Sequence, residues 1–307
     1  MAVKYKTLKI GAYTVEFPDA GKVLFPEDGY TKADLADYYQ RVAPFMLPHL
    51  KGRPLTMQRY PEGINKEGFF QKSASDYFPA WIKRAVMKKY GGTTDYVICE
   101  NAATLVYLAG QDCITQHVWL SRIDKPQNPD LMIFDLDPPD DDFEPVRRAA
   151  ESLRELLSGL GLTPFVKTTG SRGLHVTVPL DRSANYDIVH RFAGDIAGLM
   201  VRREPDKLTT EQRKEKRLKR VFIDTLRNSY NQTAVAPYTV RARNGAPVAA
   251  PLDWDELKSP NFGPQSYNIT NVFKRLDKKG DPWSKIWDRA KPLDGPRQKL
   301  GELLRKS

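Results

Sequence analysis

Asp135 and Asp137 stand two residues apart at the end of the apolar run LMIFDL, and Asp224 closes a second apolar run, VFID. A strand turns residues i and i+2 to one face, so the first pair would present two carboxylates side by side. Such charges repel unless a cation lies between them, and hard oxygen ligands select Mg²⁺ or Mn²⁺. A third carboxylate from another strand would suit two ions about 4 Å apart, an arrangement that activates a hydroxyl and stabilises a leaving group. Each aspartate also has a plainer reading. The DxD pair runs into the acidic turn DPPDDD, where every carboxylate can be solvated, and Asp224 can be the buried partner of Arg220 or Arg227.

The segment TTGSRGLHVTVPL lies between them. Gly170 and Gly173 let a backbone approach a ligand closely. Thr168, Thr169 and Ser171 supply hydroxyls, and Arg172 and His175 supply donors, a set that fits a triphosphate. The same residues also fit a hairpin turn whose glycines serve geometry alone. No G-x-x-x-x-G-K-[ST] loop and no G-x-G-x-x-G is present, which disfavours P-loop ATPases and Rossmann enzymes. The stretch RKEKRLKR over 213–220 precedes Asp224; taken alone it reads as a solvated helix face. Arg241 and Arg243 would share one face of a strand over 238–243. Lys22 and Lys32 flank a turn and a helix start, a favourable place for phosphate. Phe69 and Phe70, among Arg59, Lys66 and Lys72, suit stacking on a base or a place in the core.

The elements that must carry these residues follow from patterning. Strands are expected over 13–17, 55–60, 69–72, 96–99, 114–120, 131–136, 165–168, 174–178 and 221–224, and helices from Thr31, from Asn101, over 143–160 and over 186–201. Short helices are expected near 254–258, 269–276 and 283–290. The order is mixed rather than a strict βαβ alternation, which indicates α+β. The 307 residues suffice for one large domain or two modest ones. No apolar run is long enough for a membrane helix, and the first residues lack a signal core, so a cytoplasmic location is expected. Cys99 and Cys113 are the two cysteines, too few for a disulfide framework or a cysteine zinc site. A net charge of +10 favours polyanionic partners, nucleic acid foremost.

Four stretches, GKVLFPEDGYTKADLADYY, DLMIFDLDPP, TTGSRGLHVTVPL and FIDTLRNSYNQTAVAPYTVRAR, together resemble the polymerase domain of the non-homologous end-joining ligase D, of the archaeo-eukaryotic primase superfamily. The resemblance runs from about Val15 to Leu257. It implies a primase-like α+β core of mixed and antiparallel sheets flanked by helices, as one catalytic domain over 1–260 with room for two β subdomains, and a helical tail over 261–307 packed on it. It implies a primase–polymerase that adds nucleotides, preferably ribonucleotides, to primer 3′ ends at gaps and breaks. Two Mn²⁺ ions, or Mg²⁺, would be held by Asp135, Asp137 and Asp224. Ser171, Arg172, His175 and Arg241, with Arg227, Arg217 and His117, would contact the incoming nucleoside triphosphate. Lys22 and Lys32 would take the 5′-phosphate of gapped DNA or a DNA end, and Phe69 and Phe70 would stack on the template. A separate ligase and an end-binding protein would complete the repair, in the nucleoid.

Two departures stand out. Gln58 occupies a place where some members carry a basic residue. There is no ligase K-x-D-G motif; KPLDG over 291–295 has one residue too many, so no ligation is expected. Alternatives compatible with the residues are a primase acting without a primer, a two-metal nuclease, and a non-catalytic nucleic-acid binding module.

Overall fold

The computed structural model describes residues 5–89 and 91–306. Two hairpins, β1 (Tyr5–Ile10) with β2 (Tyr13–Pro18) and β3 (Val23–Phe25) with β4 (Tyr30–Thr31), lead into α1 (Lys32–Leu50). There follow β5 (Leu55–Arg59), β6 (Phe69–Gln71), β7 (Arg84–Lys89), β8 (Gly92–Val97), α2 (Ala102–Gly110) and β9 (Cys113–Trp119). The middle of the chain holds β10 (Leu131–Asp137), α3 (Glu144–Gly159), β11 (Phe165–Thr168), β12 (Leu174–Pro179), α4 (Tyr186–Arg203), β13 (Leu208–Thr209) and β14 (Val221–Asp224). Last come β15 (Thr233–Val235), β16 (Pro251–Leu252), α5 (Val272–Lys279) and α6 (Asp294–Lys306). No helix among the described residues is long and apolar enough to cross a membrane.

These elements gather into two compact units. The first takes the chain up to Trp119 together with Thr233–Ala250 and Tyr267–Gly280; the second takes Leu120–Gln232, Pro251–Ser266 and the chain from Asp281 onward.

The first unit is built on an antiparallel sheet of order β15-β9-β5-β6. Thr31 starts α1 with a reciprocal cap: its side chain accepts from Asp34 N–H while the Asp34 carboxylate accepts from Thr31 N–H. The helix runs on to Leu50 through Pro44 and Pro48. A proline removes the bond to the carbonyl four residues back. Pro44, Pro48 and Gln40 all lie on the exposed side, where water can satisfy the freed carbonyls. The buried side carries Leu35, Tyr38, Tyr39, Val42 and Met46.

The expected strand over 238–243 is not one. Tyr238 takes a left-handed φ of 65°, and only a single bridge, Val240 with Val248, forms there. The backbone of this segment bonds instead to the chain over 247–249: Tyr238 N–H donates to Ala249 O, Arg241 N–H to Pro247 O, and Ala249 N–H to Thr239 O. Side chains of α1 and β9 add to these: Tyr38 Oη donates to Tyr238 O at 2.7 Å, Val240 N–H donates to Tyr39 Oη at 3.0 Å, and Thr115 Oγ1 donates to Val240 O at 2.7 Å. Arg241 and Arg243 therefore sit on a pinned loop and share no strand face.

The second unit is a six-stranded sheet of order β13-β14-β10-β12-β11-β16, antiparallel except where β13 joins β14. β12 is buried along its whole length. Each of its larger apolar side chains removes enough surface from water to contribute about 1.5–3 kcal/mol. α3 lays Val146, Ala149, Ala150, Leu153, Leu156 and Leu157 inward at helical spacing. The expected helices over 143–160 and 186–201 match α3 and α4 to within two residues.

Between β11 and β12 the link over 169–173 closes on itself. Thr169 Oγ1 donates to Gly173 O at 3.1 Å and accepts from Ser171 N–H at 3.3 Å and Gly173 N–H at 3.2 Å. That hydroxyl is committed to its own loop rather than offered to a ligand, and Thr168 is fully buried. Gly170 has a φ of 64°, which favours glycine. Gly173 is needed for a different reason: a Cβ there would lie 2.0 Å from Leu136 O in β10. The glycine lets β10 pass close enough to hold its aspartates in register.

Gly173→Ala must push β10 away, so urea unfolding should show a loss of about 1–3 kcal/mol, typical of overpacking. Unchanged stability would mean that the strand yields freely.

Candidate metal centre and nucleotide site

The register of the second unit sets four polar residues in one row across adjacent strands. Asp224 on β14 is opposite Asp135 on β10, Asp135 is opposite His175 on β12, and His175 is opposite Lys167 on β11. Directly opposed residues of an antiparallel pair have Cβ atoms about 4.5–5.5 Å apart on a common face. Asp137, two residues beyond Asp135, takes the next position on that face, opposite Phe222. Three carboxylates thus share one end of the sheet.

Their electrostatics follow from burial and from nearby cations. His175 is 3% exposed; burial first, and Lys167 next, push its pKa down to about 4, so it is neutral near pH 7. Its Nε2 lies 3.4 Å from Asp135 Oδ1. Burial would raise Asp135, but His175, Arg227 and Lys167 outweigh it and hold the carboxyl below its ordinary range. Asp137 is pushed up to about 6 by burial and then by Asp135, against Arg217 and Arg172. Asp224 is raised by burial and by Asp135, while Leu226 N–H, donating to its Oδ1 at 2.8 Å, and Arg227 and Arg217 oppose the shift.

The donor set fits divalent cations. Asp135 Oδ1 is buried without a hydrogen-bond partner, its approach to His175 falling short of bonding geometry. Two carboxyls are held at raised pKa by burial and by a neighbouring carboxylate, a cost that a dication would relieve. Among the described residues no three His, Cys, Asp or Glu side chains are gathered at ligand spacing. The plainer reading of Asp224 fails for Arg220, whose guanidinium donates instead to the carbonyls of Arg217, Pro205 and Lys216.

Around this row the second unit also carries Ser171, Arg172, Arg217 and Arg227. Gln265 Nε2 donates to Ser171 O at 2.7 Å, which fixes the link from outside. Arg217 stacks on Phe222, 3.8 Å from the ring centroid, and donates to Glu211 O and Gln212 O. Its stretch is a single 3₁₀ turn, Lys214–Lys216, followed by two left-handed residues, Leu218 and Lys219, rather than a helix face.

Two residues of this unit carry almost no signal in the sequence. Lys167 is 1% exposed; its role emerges only once register places it beside His175. Asn228 is fully buried and clamps β10. Its Oδ1 accepts from Ile133 N–H at 2.8 Å, and its Nδ2 donates to Ile133 O at 2.7 Å and Thr225 O at 2.9 Å. One carboxamide thus ties the turn after Asp224 to the strand two residues before Asp135. An asparagine four residues after an aspartate in an apolar strand is the only trace of this in the sequence.

The first unit carries His117, Arg241, Lys22, Lys32, Phe69 and Phe70. Lys32 Nζ lies 2.9 Å from Asp112 Oδ1 and donates to Gly110 O at 3.0 Å, and Lys22 Nζ lies 3.4 Å from the same carboxylate oxygen. The two lysines therefore converge on Asp112, which no motif in the sequence marks. Lys32 is 3% exposed, while Lys22 is partly exposed, at 32%. Phe69 and Phe70 are 46% and 60% exposed, which rules out the core reading. Phe70 meets His117 edge-on, ring centroids 5.4 Å apart, and Arg59 lies 5.6 Å from the Phe69 ring. Gln58 donates to Tyr60 Oη at 2.7 Å. In the second unit, Lys291 of the near-motif KPLDG donates to Gly161 O at 3.0 Å, and Asp294 and Gly295 open α6.

Comparison with known proteins gives one answer. The family model for the LigD primase-polymerase domain matches residues 31–283. The multifunctional non-homologous end joining DNA repair protein LigD of Mycobacterium tuberculosis is 36% identical over 276 residues, covering 87% of this chain and 36% of that protein. The bifunctional non-homologous end joining protein LigD of Bacillus subtilis is 32% identical over 294 residues, covering 95% of this chain and 47% of that protein. The chain spans between a third and a half of the length of these relatives. Among solved structures, the polymerase domain from Mycobacterium tuberculosis Ligase D in complex with DNA has a TM-score of 0.85 at 34% identity, covering 90% of this chain and 99% of that one. The α+β architecture of antiparallel sheets and flanking helices is that of this neighbour.

The clamp and the raised carboxyl can each be tested. Asn228→Ala leaves both backbone groups of Ile133 without partners, at about 1–3 kcal/mol each. The amide of Ile133 should exchange hydrogen faster and Mn²⁺ binding should weaken; unaltered exchange there would refute the clamp. Asp137, with its pKa near 6, is protonated below that pH, so a metal must displace a proton. Mn²⁺ affinity, followed by calorimetry, should fall by about tenfold per pH unit below 6 and level off above 7. Asp137→Asn should bind more weakly and with a shallower slope, only the raised Asp224 carboxyl still competing with protons.

Proposed function

The chain belongs to the LigD primase-polymerase domain family, and on that footing we propose that it is a template-dependent nucleotidyltransferase that extends primer 3′ ends at gaps and double-strand breaks in non-homologous end joining. The observation that carries the reading is the row Asp224–Asp135–His175–Lys167 with Asp137 beside it. Asp135, Asp137 and Asp224 would hold two divalent ions, Mn²⁺ in preference to Mg²⁺. When bound, such ions lower the pKa of a 3′-hydroxyl and offset charge on a triphosphate.

The remaining roles belong to the chain itself. Ser171, Arg172 and neutral His175 orient the incoming triphosphate from the link over 169–173 and β12. Arg217 and Arg227 face the carboxylates with fixed positive charge, which balances the charge that builds on the phosphates. The hydroxyl oxygen attacks the α-phosphorus in line and pyrophosphate departs. No side chain is assigned as a dedicated base. His117 and Arg241 complete the nucleotide contacts, Phe69 and Phe70 stack on template bases, and Lys22 with Lys32 takes a 5′-phosphate. The preferred nucleotides are ribonucleotides, and the setting is the cytoplasmic nucleoid, with a ligase and an end-binding protein as partners.

The test is extension on gapped DNA carrying a downstream 5′-phosphate, with ribo- and deoxynucleotides and either Mn²⁺ or Mg²⁺. Templated extension should occur and should fall by more than about a hundredfold in Asp137→Ala. Cleavage in place of extension would identify a two-metal nuclease, and synthesis without a primer would identify a primase. DNA binding with no incorporation would leave a binding module. Lys22→Ala should reduce the preference for a 5′-phosphate over a 5′-hydroxyl while leaving folding intact. Lys32→Ala should also destabilise on the order of 3 kcal/mol, because it breaks a buried pair.

A further inference from the structure

The second unit contains a pocket of about 480 Å³ whose lining includes no residue of the metal centre. Its floor is rigid. Pro164 and Phe165 lie at the start of β11, and Trp254 Nε1 donates to Pro164 O at 3.0 Å. Beneath it Trp283 Nε1 donates to Val166 O at 3.1 Å, and its ring meets Phe165 edge-on. Two indoles thus pin one strand end, so the cavity is formed before any ligand arrives.

Its rim is cationic. Arg154, Lys285 and Arg289 line the opening, all three exposed, and none has a carboxylate partner among the described residues. Arg154 lies over the Trp254 ring at 4.8 Å, a placement that leaves its N–H edges free. The acidic residue in the lining, Asp253, accepts from the backbone of Glu256 and caps the turn Trp254–Lys258. Ser158 and Thr163 add hydroxyls. Three unneutralised cations around an aromatic floor of small-molecule size are suited to phosphate groups joined to a planar ring.

We propose that this pocket binds a phosphate-bearing nucleotide, distinct from the one at the metal centre. The source is either a free nucleoside triphosphate or one nucleotide of a single strand, and the chemistry of recognition is common to both. The inference stands apart from the catalytic reading, because it uses none of the same residues.

The test compares the wild-type chain, Lys285→Glu/Arg289→Glu, and a control of equal charge change on α5, Lys278→Glu/Lys279→Glu. Thermal melting checks that all three fold, and extension of saturating gapped DNA should be alike in all three. Binding is measured by anisotropy of a fluorescein-labelled single-stranded 12-mer, by titration with ATP, and by quenching of tryptophan emission. The pocket variant should bind its ligand at least about tenfold more weakly. With the strand its salt dependence should be shallower by about 1.4, roughly 0.7 for each phosphate no longer neutralised. The control should stay near wild type. Weakening confined to the 12-mer identifies a strand, and weakening confined to ATP identifies a free nucleotide. Equal weakening in pocket variant and control, or no change in either, overturns the proposal. So does binding of an oligo-glutamate peptide through these residues with nucleotide binding unaffected.

Discussion

Like charges on neighbouring strands must be held together against their own repulsion, and this is what the second unit does at one end of its sheet. Asp224 and Asp135 are directly opposed, and Asp137 is two residues further along. Their shifted pKa values record the conflict: Asp137 and Asp224 are raised above the ordinary carboxylate range by burial and by Asp135, while Asp135 is lowered by His175, Arg227 and Lys167 against its burial. A sheet can maintain this only if its register cannot slip, because a one-residue shift would turn every side chain to the other face.

Several features in and around the row serve that requirement. Gly173 allows β10 to lie against the link before β12. Asn228 ties the turn after β14 to Ile133 of β10 through both backbone groups of that residue. Lys167, at the far end of the row, adds to burial in keeping His175 neutral. The arrangement therefore grades from negative to positive across four strands.

Much of this was legible beforehand. Short apolar runs ending in aspartate located the strands that bear the carboxylates, and Thr31 marked the start of α1. What stayed hidden depended on contacts distant in sequence. Lys167 in the run FVKTT reads as an ordinary polar position until β11 is set against β12. Asn228 reads as a turn residue until its carboxamide is seen to serve as a partner for a strand. The segment over 238–243 carries a strand-like alternation, yet Tyr38, Tyr39 and Thr115 bond part of its backbone through their side chains. The prolines of α1 leave its helical pattern intact, because they sit on the face where water repairs what they remove.

The link over 169–173 has a bearing on speed as well as on binding. Its backbone groups bond to the Thr169 hydroxyl, and Gln265 holds it from outside. The freedom lost in ordering such a loop is lost once, during folding, and is not lost again at each encounter with a ligand. A site with a rigid rim captures by collision and alignment alone. The rate at which it fills is then governed by how its partners diffuse and orient, rather than by a loop that must first find its shape.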